Sequence, residues 1–301
     1  LSQADRGLTQ LFEERHIPYV IAMNKADLVT VPENIPQIMI FVSARENGNI
    51  HALKEKIAAL VRSVPPAREL IADLVSPGDA VVLVTPIDSA APKGRLILPQ
   101  QQTIRSLLDA GCIPVVTRET ELARTLSLLR EPPALVVTDS QAVGMVSRIA
   151  PESVRLTSFS ILIARYKGDL RTAVLGAAAL RQLKDGDTVL ISEGCTHHRQ
   201  CGDIGTEKLP RWVRQYTGRD IRFAFTSGGE FPENLSPYAL IIHCGACMLG
   251  EREMQSRLRR AAEQCIPVTN YGIAIAQIHG ILDRALRPFS ALHAEWKKQQ
   301  Q

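Results

Sequence analysis

Tyr238-Ala239-Leu240-Ile241-Ile242-His243-Cys244-Gly245-Ala246-Cys247 is an apolar run that ends in His-Cys-x-x-Cys. Residues Tyr238 to Ile242 read as a buried strand, because an unbroken apolar run suits a strand covered on both faces. Two thiols three positions apart can turn toward one metal corner, and Gly245 is expected to let the backbone bend around it. The same grammar occurs earlier. Thr188-Val189-Leu190-Ile191-Ser192 reads as a second strand, followed by Glu193-Gly194-Cys195-Thr196-His197. Two strand ends in one parallel sheet lie close together, and their loops converge. Cys195, His197, His243, Cys244 and Cys247 are therefore candidates for one cage.

Working outward, the region 159–301 alternates strands and helices around this pair of loops. Leu170 to Leu183 reads as one helix and Leu209 to Tyr216 as another. Arg222 to Thr226 reads as a strand, and Gly250 to Gln264 as a helix carrying Arg252, Arg257, Arg259 and Arg260. Val268 to Tyr271 reads as a strand, and Gly272 to Leu286 as the last helix. Residues 65–158 repeat a βαβαβα pattern, with strands at Ala80–Ile87, Ile113–Thr117 and Ala134–Thr138. Helices between them are stopped by Gly111 and by Pro132-Pro133. Near-continuous apolar strands separated by helices predict a parallel sheet with helices on its faces. Pro65-Pro66 marks a stiff linker. Residues 1–64 read as helix, strand, strand, helix. The expected fold class is thus α/β in three modules, 1–64, 65–158 and 159–301.

Composition sets limits. The 301 residues are 45% hydrophobic and 22% charged, as in ordinary globular domains. No apolar run approaches the ~20 residues of a membrane span. The net charge is +4, and residues 159–301 hold the excess, with 19 basic against 14 acidic side chains. No Lys/Arg block is interleaved with aromatics, which argues against nucleic acid. Six cysteines, at 112, 195, 201, 244, 247 and 265, do not form a disulfide framework in a chain this long. With a CxxC among them, a reducing compartment and a metal fit better, and a cytoplasmic location is expected.

Asn24-Lys25-Ala26-Asp27 at one strand end, with Ser43-Ala44 at the next, resembles the guanine-recognition end of P-loop GTPases. The residue types fit that chemistry. The Asp27 carboxylate can accept from guanine N1–H and the exocyclic amine, a donor pair adenine lacks. Lys25 can lay its stem over the base, Asn24 can tie the loop, and the Ala44 N–H can meet guanine O6. No G-x-x-x-x-G-K-[ST] occurs, and no D-x-x-G precedes Asn24. The chain as given is therefore expected not to hydrolyse GTP. The first module is expected to be the C-terminal part of a P-loop GTPase fold whose N-terminal part is absent.

On residue types alone, three other readings of the cage stand. CxxC can be a redox dithiol. Cys/His cages can hold structural zinc, here in a GTP-regulated protein. The histidines can be satisfied polar residues beside a metal they do not touch. The bipartite Cys195-x-His197…His243-Cys244-x-x-Cys247, with Glu193-Gly194 before it and Cys201-Gly202-Asp203-Ile204-Gly205 after its first half, resembles the signature of the HydF family. These are the GTPase scaffolds of [FeFe]-hydrogenase maturation. The resemblance spans the whole chain and implies GTPase, dimerisation and iron–sulfur cluster-binding domains in that order. It implies a [4Fe–4S] cluster on Cys195, Cys244 and Cys247, leaving one iron corner for an exchangeable ligand among His243, His197 and Glu193. It further implies GTP with Mg²⁺ in a complete domain, and a homodimer formed by residues 65–158. The cargo would be a diiron precursor bearing CO and cyanide, received from the radical-SAM maturases HydE and HydG and passed to apo-hydrogenase.

Overall fold

The structure is a computed structural model that describes residues 1–14, 17–62, 68–87, 96–194 and 203–300. It divides into two compact units, Leu1–Ala67 and Arg68–Gln301.

The first unit is helix α1 (Gln3–Glu14), strands β1 (Ile21–Met23) and β2 (Met39–Phe41), and helix α2 (Ile50–Arg62). The two strands are parallel, with Ile21 opposite Met39 and Met23 opposite Phe41. Helix, strand, strand, helix is the order the periodicity predicts. Parallel pairing puts the C-terminal ends of both strands, and hence Asn24 and Ser43, at one edge.

The second unit holds two four-stranded parallel sheets. The first is built from β3 (Ala80–Val84), α3 (Leu98–Asp109), β4 (Ile113–Thr117), α4 (Leu122–Leu128), β5 (Leu135–Thr138), α5 (Val143–Ile149), β6 (Leu156–Ser158) and α6 (Phe159–Lys167). Its strand order is β4-β3-β5-β6. All four residues of β5 are buried, as expected of a central strand covered on both faces. β6 is too short for a periodic signal and was not legible as a strand. It runs straight into α6, whose N-cap is Ser158, the Oγ accepting from Ile161 N–H at 3.3 Å. Phe159, Leu162 and Ile163 of α6 pack on Val81, Leu83, Leu135 and Val137 of this first sheet.

The second sheet comprises β7 (Thr188–Ser192), β8 (Arg222–Thr226), β9 (Leu240–His243) and β10 (Val268–Asn270), ordered β10-β9-β7-β8. Helix α7 (Leu170–Gly176) precedes it. A π turn, Ile204–Lys208, leads into α8 (Leu209–Thr217). Helix α9 (Glu251–Glu263) joins β9 to β10, and α10 (Tyr271–Ile278), α11 (Leu282–Leu286) and α12 (Ser290–Gln299) close the chain. Two expected helices are divided. The α7 helix tightens into a 3₁₀ turn at Ala177–Arg181. Gly280, at φ +71°, breaks the run expected from Gly272 to Leu286 into α10 and α11. α12 was not foreseen, because Trp296 is its one buried residue.

Close packing of α7 on the sheet depends on one glycine. A Cβ on Gly176 would lie 2.0 Å from the Val268 carbonyl oxygen. Ile161, Val174, Ile273, Leu282 and Trp296 form a core of helices α6, α7, α10, α11 and α12. So α6 packs on the first sheet with one face and on the helices of the second with another. Among the described residues no helix is long and apolar enough to cross a membrane.

Candidate metal centre and base-recognition loops

In the second sheet, the chain leaves β7 toward β8 on one side and later fills β9 and β10 on the other. The strand order therefore reverses between β7 and β9, and open α/β sheets bind ligands at that crevice, beyond the strand C-termini. Ser192 of β7 stands opposite His243 of β9, and His243 opposite Asn270 of β10. The Cys244 N–H extends the ladder onto the Ser192 carbonyl at 2.8 Å.

Backbone donors converge on the Cys244 sulfur. Gly194 N–H reaches Sγ at 3.0 Å and Ala246 N–H at 3.4 Å. Two backbone N–H groups thus share one sulfur acceptor. The first donor comes from the residue before Cys195, so the two loops do meet. Gly194 permits the approach: a Cβ there would sit 2.6 Å from Leu249 Cγ. The turn itself differs from expectation. Gly245 is not in the left-handed region; Ala246 is, at φ +52°. Non-glycine residues there cost ~1–2 kcal/mol. Burial of the Ala246 methyl among Leu249, Met254 and Leu258 offsets part of that.

Cys247 is held through its backbone. Lys167, the last residue of α6, donates from Nζ to the Cys247 carbonyl at 2.7 Å and to the Leu249 carbonyl at 3.2 Å. Burial pushes the Cys247 thiol up, Cys244 adds to that, and the Lys167 charge opposes it.

His243 closes β9 and is 1% exposed. Its Nδ1 lies 2.9 Å from the Cys244 carbonyl oxygen, and its Nε2 lies 3.1 Å from Nη1 of Arg257. A carbonyl can only accept and a guanidinium can only donate. The proton is therefore on Nδ1, and Nε2 accepts. Arg257, on α9, is itself 2% exposed. It donates from Nε to Glu253 at 3.0 Å, from Nη1 also to Ser192 Oγ at 3.4 Å, and from Nη2 to the Gly228 carbonyl at 2.9 Å. Its Cζ lies 5.1 Å from the Phe231 ring centroid. By its sequence alone Arg257 is one basic residue among four on its helix. A signal was present: Met254, Leu258 and Ala261 mark the buried stripe, and Arg257 falls on it at helical spacing.

Glu193 is 4% exposed and accepts from the Tyr271 hydroxyl at 3.3 Å. Burial, then the nearby Glu193 charge, pushes the Tyr271 phenol far up. Gly205 leaves the room for this pair, since a Cβ there would lie 2.3 Å from the Tyr271 oxygen and 2.5 Å from Glu193 Oε1. Cys195, His197 and Cys201 lie outside the described residues. Among the described residues, no three His, Cys, Asp or Glu side chains gather into a metal cage. The described half of the candidate centre is Cys244 and Cys247, with Glu193 and His243 beside them.

In the first unit, the structure brings Asn24, Lys25, Asp27, Ser43 and Ala44 together. Asn24 Oδ1 accepts from Lys25 N–H at 2.8 Å and from Ala44 N–H at 3.1 Å, tying the two loops. Ser43 Oγ donates to Asp27 Oδ1 at 2.6 Å. Each carboxylate oxygen has two lone pairs, so Asp27 keeps acceptor capacity for two further donors. Lys25 stands at φ +66°, and the Ser43–Gly48 bridge closes the second loop. A base oxygen approaching Ala44 N–H would share that donor with Asn24.

Two family models match the second unit. Residues 70–168 match the hydrogen maturase F dimerization domain, and residues 171–288 match the hydrogen maturase F tetramerization domain. The division between them falls at Asp169, the N-cap of α7. Together the fold and these matches define a hydrogenase-maturation protein built from α/β assembly modules. The chain belongs to the hydrogen maturase F family. Comparison with curated proteins returned no match.

Proposed function

We propose that this chain is the scaffold on which a hydrogenase metal precursor is carried, with Cys195, Cys244 and Cys247 holding a [4Fe–4S] cluster. The observation that supports this reading most is the convergence of two amide donors on Cys244 Sγ at the sheet's switch point. Amide hydrogen bonds to cluster sulfurs are a means by which proteins tune such centres. The donor set fits in kind: two thiols stand on the second loop, and Gly194, whose N–H meets Cys244 Sγ, directly precedes Cys195 in the sequence. When bound, a cluster with three thiolate ligands would supply one iron corner open to exchange. The protein's own residues supply the rest. Lys167 and Ser192 fix the backbone of the CxxC loop, and Gly194 and Ala246 offer their N–H groups to sulfur. The cargo would be a diiron unit with CO and cyanide, received from radical-SAM maturases and delivered to apo-hydrogenase. In the first unit, Asp27 would read guanine with Lys25 beneath the base, which confines the nucleotide role of these residues to base recognition.

Anaerobic loading with ferrous iron and sulfide, followed by iron analysis and EPR of the reduced protein, tests this. A brown protein that loses most of its iron in Cys195→Ser, Cys244→Ser and Cys247→Ser is the expected result. A colourless protein that retains zinc would replace the carrier by a structural cage. Iron loss on Cys201→Ser would indicate a closed four-thiolate site, with no corner for cargo.

A further inference from the structure

We propose that Arg257 is a positioning residue of the thiolate site, acting through His243. It holds the imidazole with its proton on Nδ1 and its Nε2 lone pair taken up by the guanidinium. This rests on the cluster reading only for what the site binds; the geometry stands without it.

Arg257 is buried and donates to groups at three strand ends or loops: Ser192 ending β7, Gly228 after β8 and His243 ending β9. Glu253, one turn earlier on α9, fixes its Nε. Phe231 covers the guanidinium face. A planar donor fork anchored on that many sides has one orientation, so the nitrogen facing His243 is always a donor. The ring is in turn oriented by the Cys244 carbonyl. A histidine can give a lone pair to a metal only from its unprotonated nitrogen. Here that nitrogen is Nε2, and its lone pair is directed at Arg257. His243 is thereby a strut between α9 and the CxxC backbone, and the exchangeable corner falls to another group.

Two measurements separate the outcomes. The first uses the metal-free chain labelled with ¹⁵N-histidine, the His243 signals being identified by their loss in His243→Gln. A fixed Nδ1–H tautomer with an accepting Nε2 is expected. An Nε2–H tautomer, or averaging between the two, overturns the proposal whether or not the chain binds iron. The second loads wild type, Arg257→Lys and Arg257→Met with iron and sulfide, and reads nitrogen couplings in pulsed EPR of the reduced centre. Wild type should show no coupling that disappears in His243→Gln. Arg257→Met frees Nε2 and should gain such a coupling, while Arg257→Lys, which retains one donor, should stay close to wild type. A His243-dependent coupling already present in wild type sinks the idea, as does an Arg257→Met spectrum identical to wild type. If Arg257→Met does not fold, the tautomer and the wild-type coupling decide. Failure of wild type to take up iron refutes the cluster reading and leaves the tautomer measurement to judge Arg257.

Discussion

His243 has partners in the fold that its place beside Cys244 in the chain does not reveal. In the sequence it adjoins Cys244 and reads as a ligand. In the fold it is the last residue of β9, and both ring nitrogens are hydrogen-bonded, one to its own loop and one to α9. Asp27 is a contrasting case. Its neighbours in the fold are the ones its motif led us to expect, with Ser43 on one oxygen and capacity left over. That leads to a prediction about base choice. In a protein that also carries a phosphate-binding half, Asp27→Asn should weaken guanine nucleotide binding by about 100-fold, two charge-assisted hydrogen bonds being at stake. The same change should favour xanthine nucleotides, whose ring offers an acceptor where guanine offers its amine. Competition binding with both nucleotides checks this, and unchanged guanine affinity would refute the role given to Asp27.

At the scale of elements, contacts between helices and strands leave little tolerance. Gly176→Ala places a methyl on the Val268 carbonyl, where backbone must move to make room. A loss of about 3 kcal/mol is expected, read as a lower urea midpoint with the same slope. A midpoint equal to wild type would mean that α7 can slide away from β10. Helix α6 is tied at its outer end by Arg165, which forms a two-pronged ion pair with Asp73, one arm at 2.7 Å. The hydrogen bond from Arg165 holds the Asp73 carboxyl below its usual value of 3.8, against a smaller effect of burial. Because the folded pKa is depressed, the pair contributes fully above the unfolded value. That contribution is lost as pH falls through the folded value. The stability gap between wild type and Asp73→Asn should be constant above about pH 5 and close below about pH 4. Denaturation at a series of pH values measures it; a gap that widens on acidification would contradict the assignment.

For the whole molecule, the first sheet is open at one end among the described residues. β6 is wholly buried and touches α11, whereas the other edge strand, β4, exposes Ile113 and Val116. An apolar edge strand is a ready template for another chain, and this one lies in the module matched as a dimerization domain. Val116→Lys should shift the full chain toward monomer by at least about tenfold in dissociation constant, since a charge must be desolvated at the joint. Sedimentation across a concentration series reads this directly. An unaltered oligomer would place the contact elsewhere on the module.

The α/β class, most strands and helices and the meeting of Asn24, Asp27, Ser43 and Ala44 were readable from the sequence. Continuous apolar strands, Gly and Pro stops, and CxxC or NKxD at strand ends are local patterns, and local patterns survive without the fold. Strand β6 and helix α12 were not readable, one being too short for a period and the other burying a single side chain. The role of Arg257 was beyond the sequence for a different reason. A charge on an apolar helix face signals that something partners it, but the partners, Ser192, Gly228 and His243, lie on separate strands and loops that only the β10-β9-β7-β8 order brings together. The same holds for the turn at Ala246, whose left-handed backbone is sustained by tertiary packing of its methyl group and not by the glycine beside it. Sequence spacing determined which residue types meet at the switch point; the packing of α9 and α6 against it decided which of them are held by the fold.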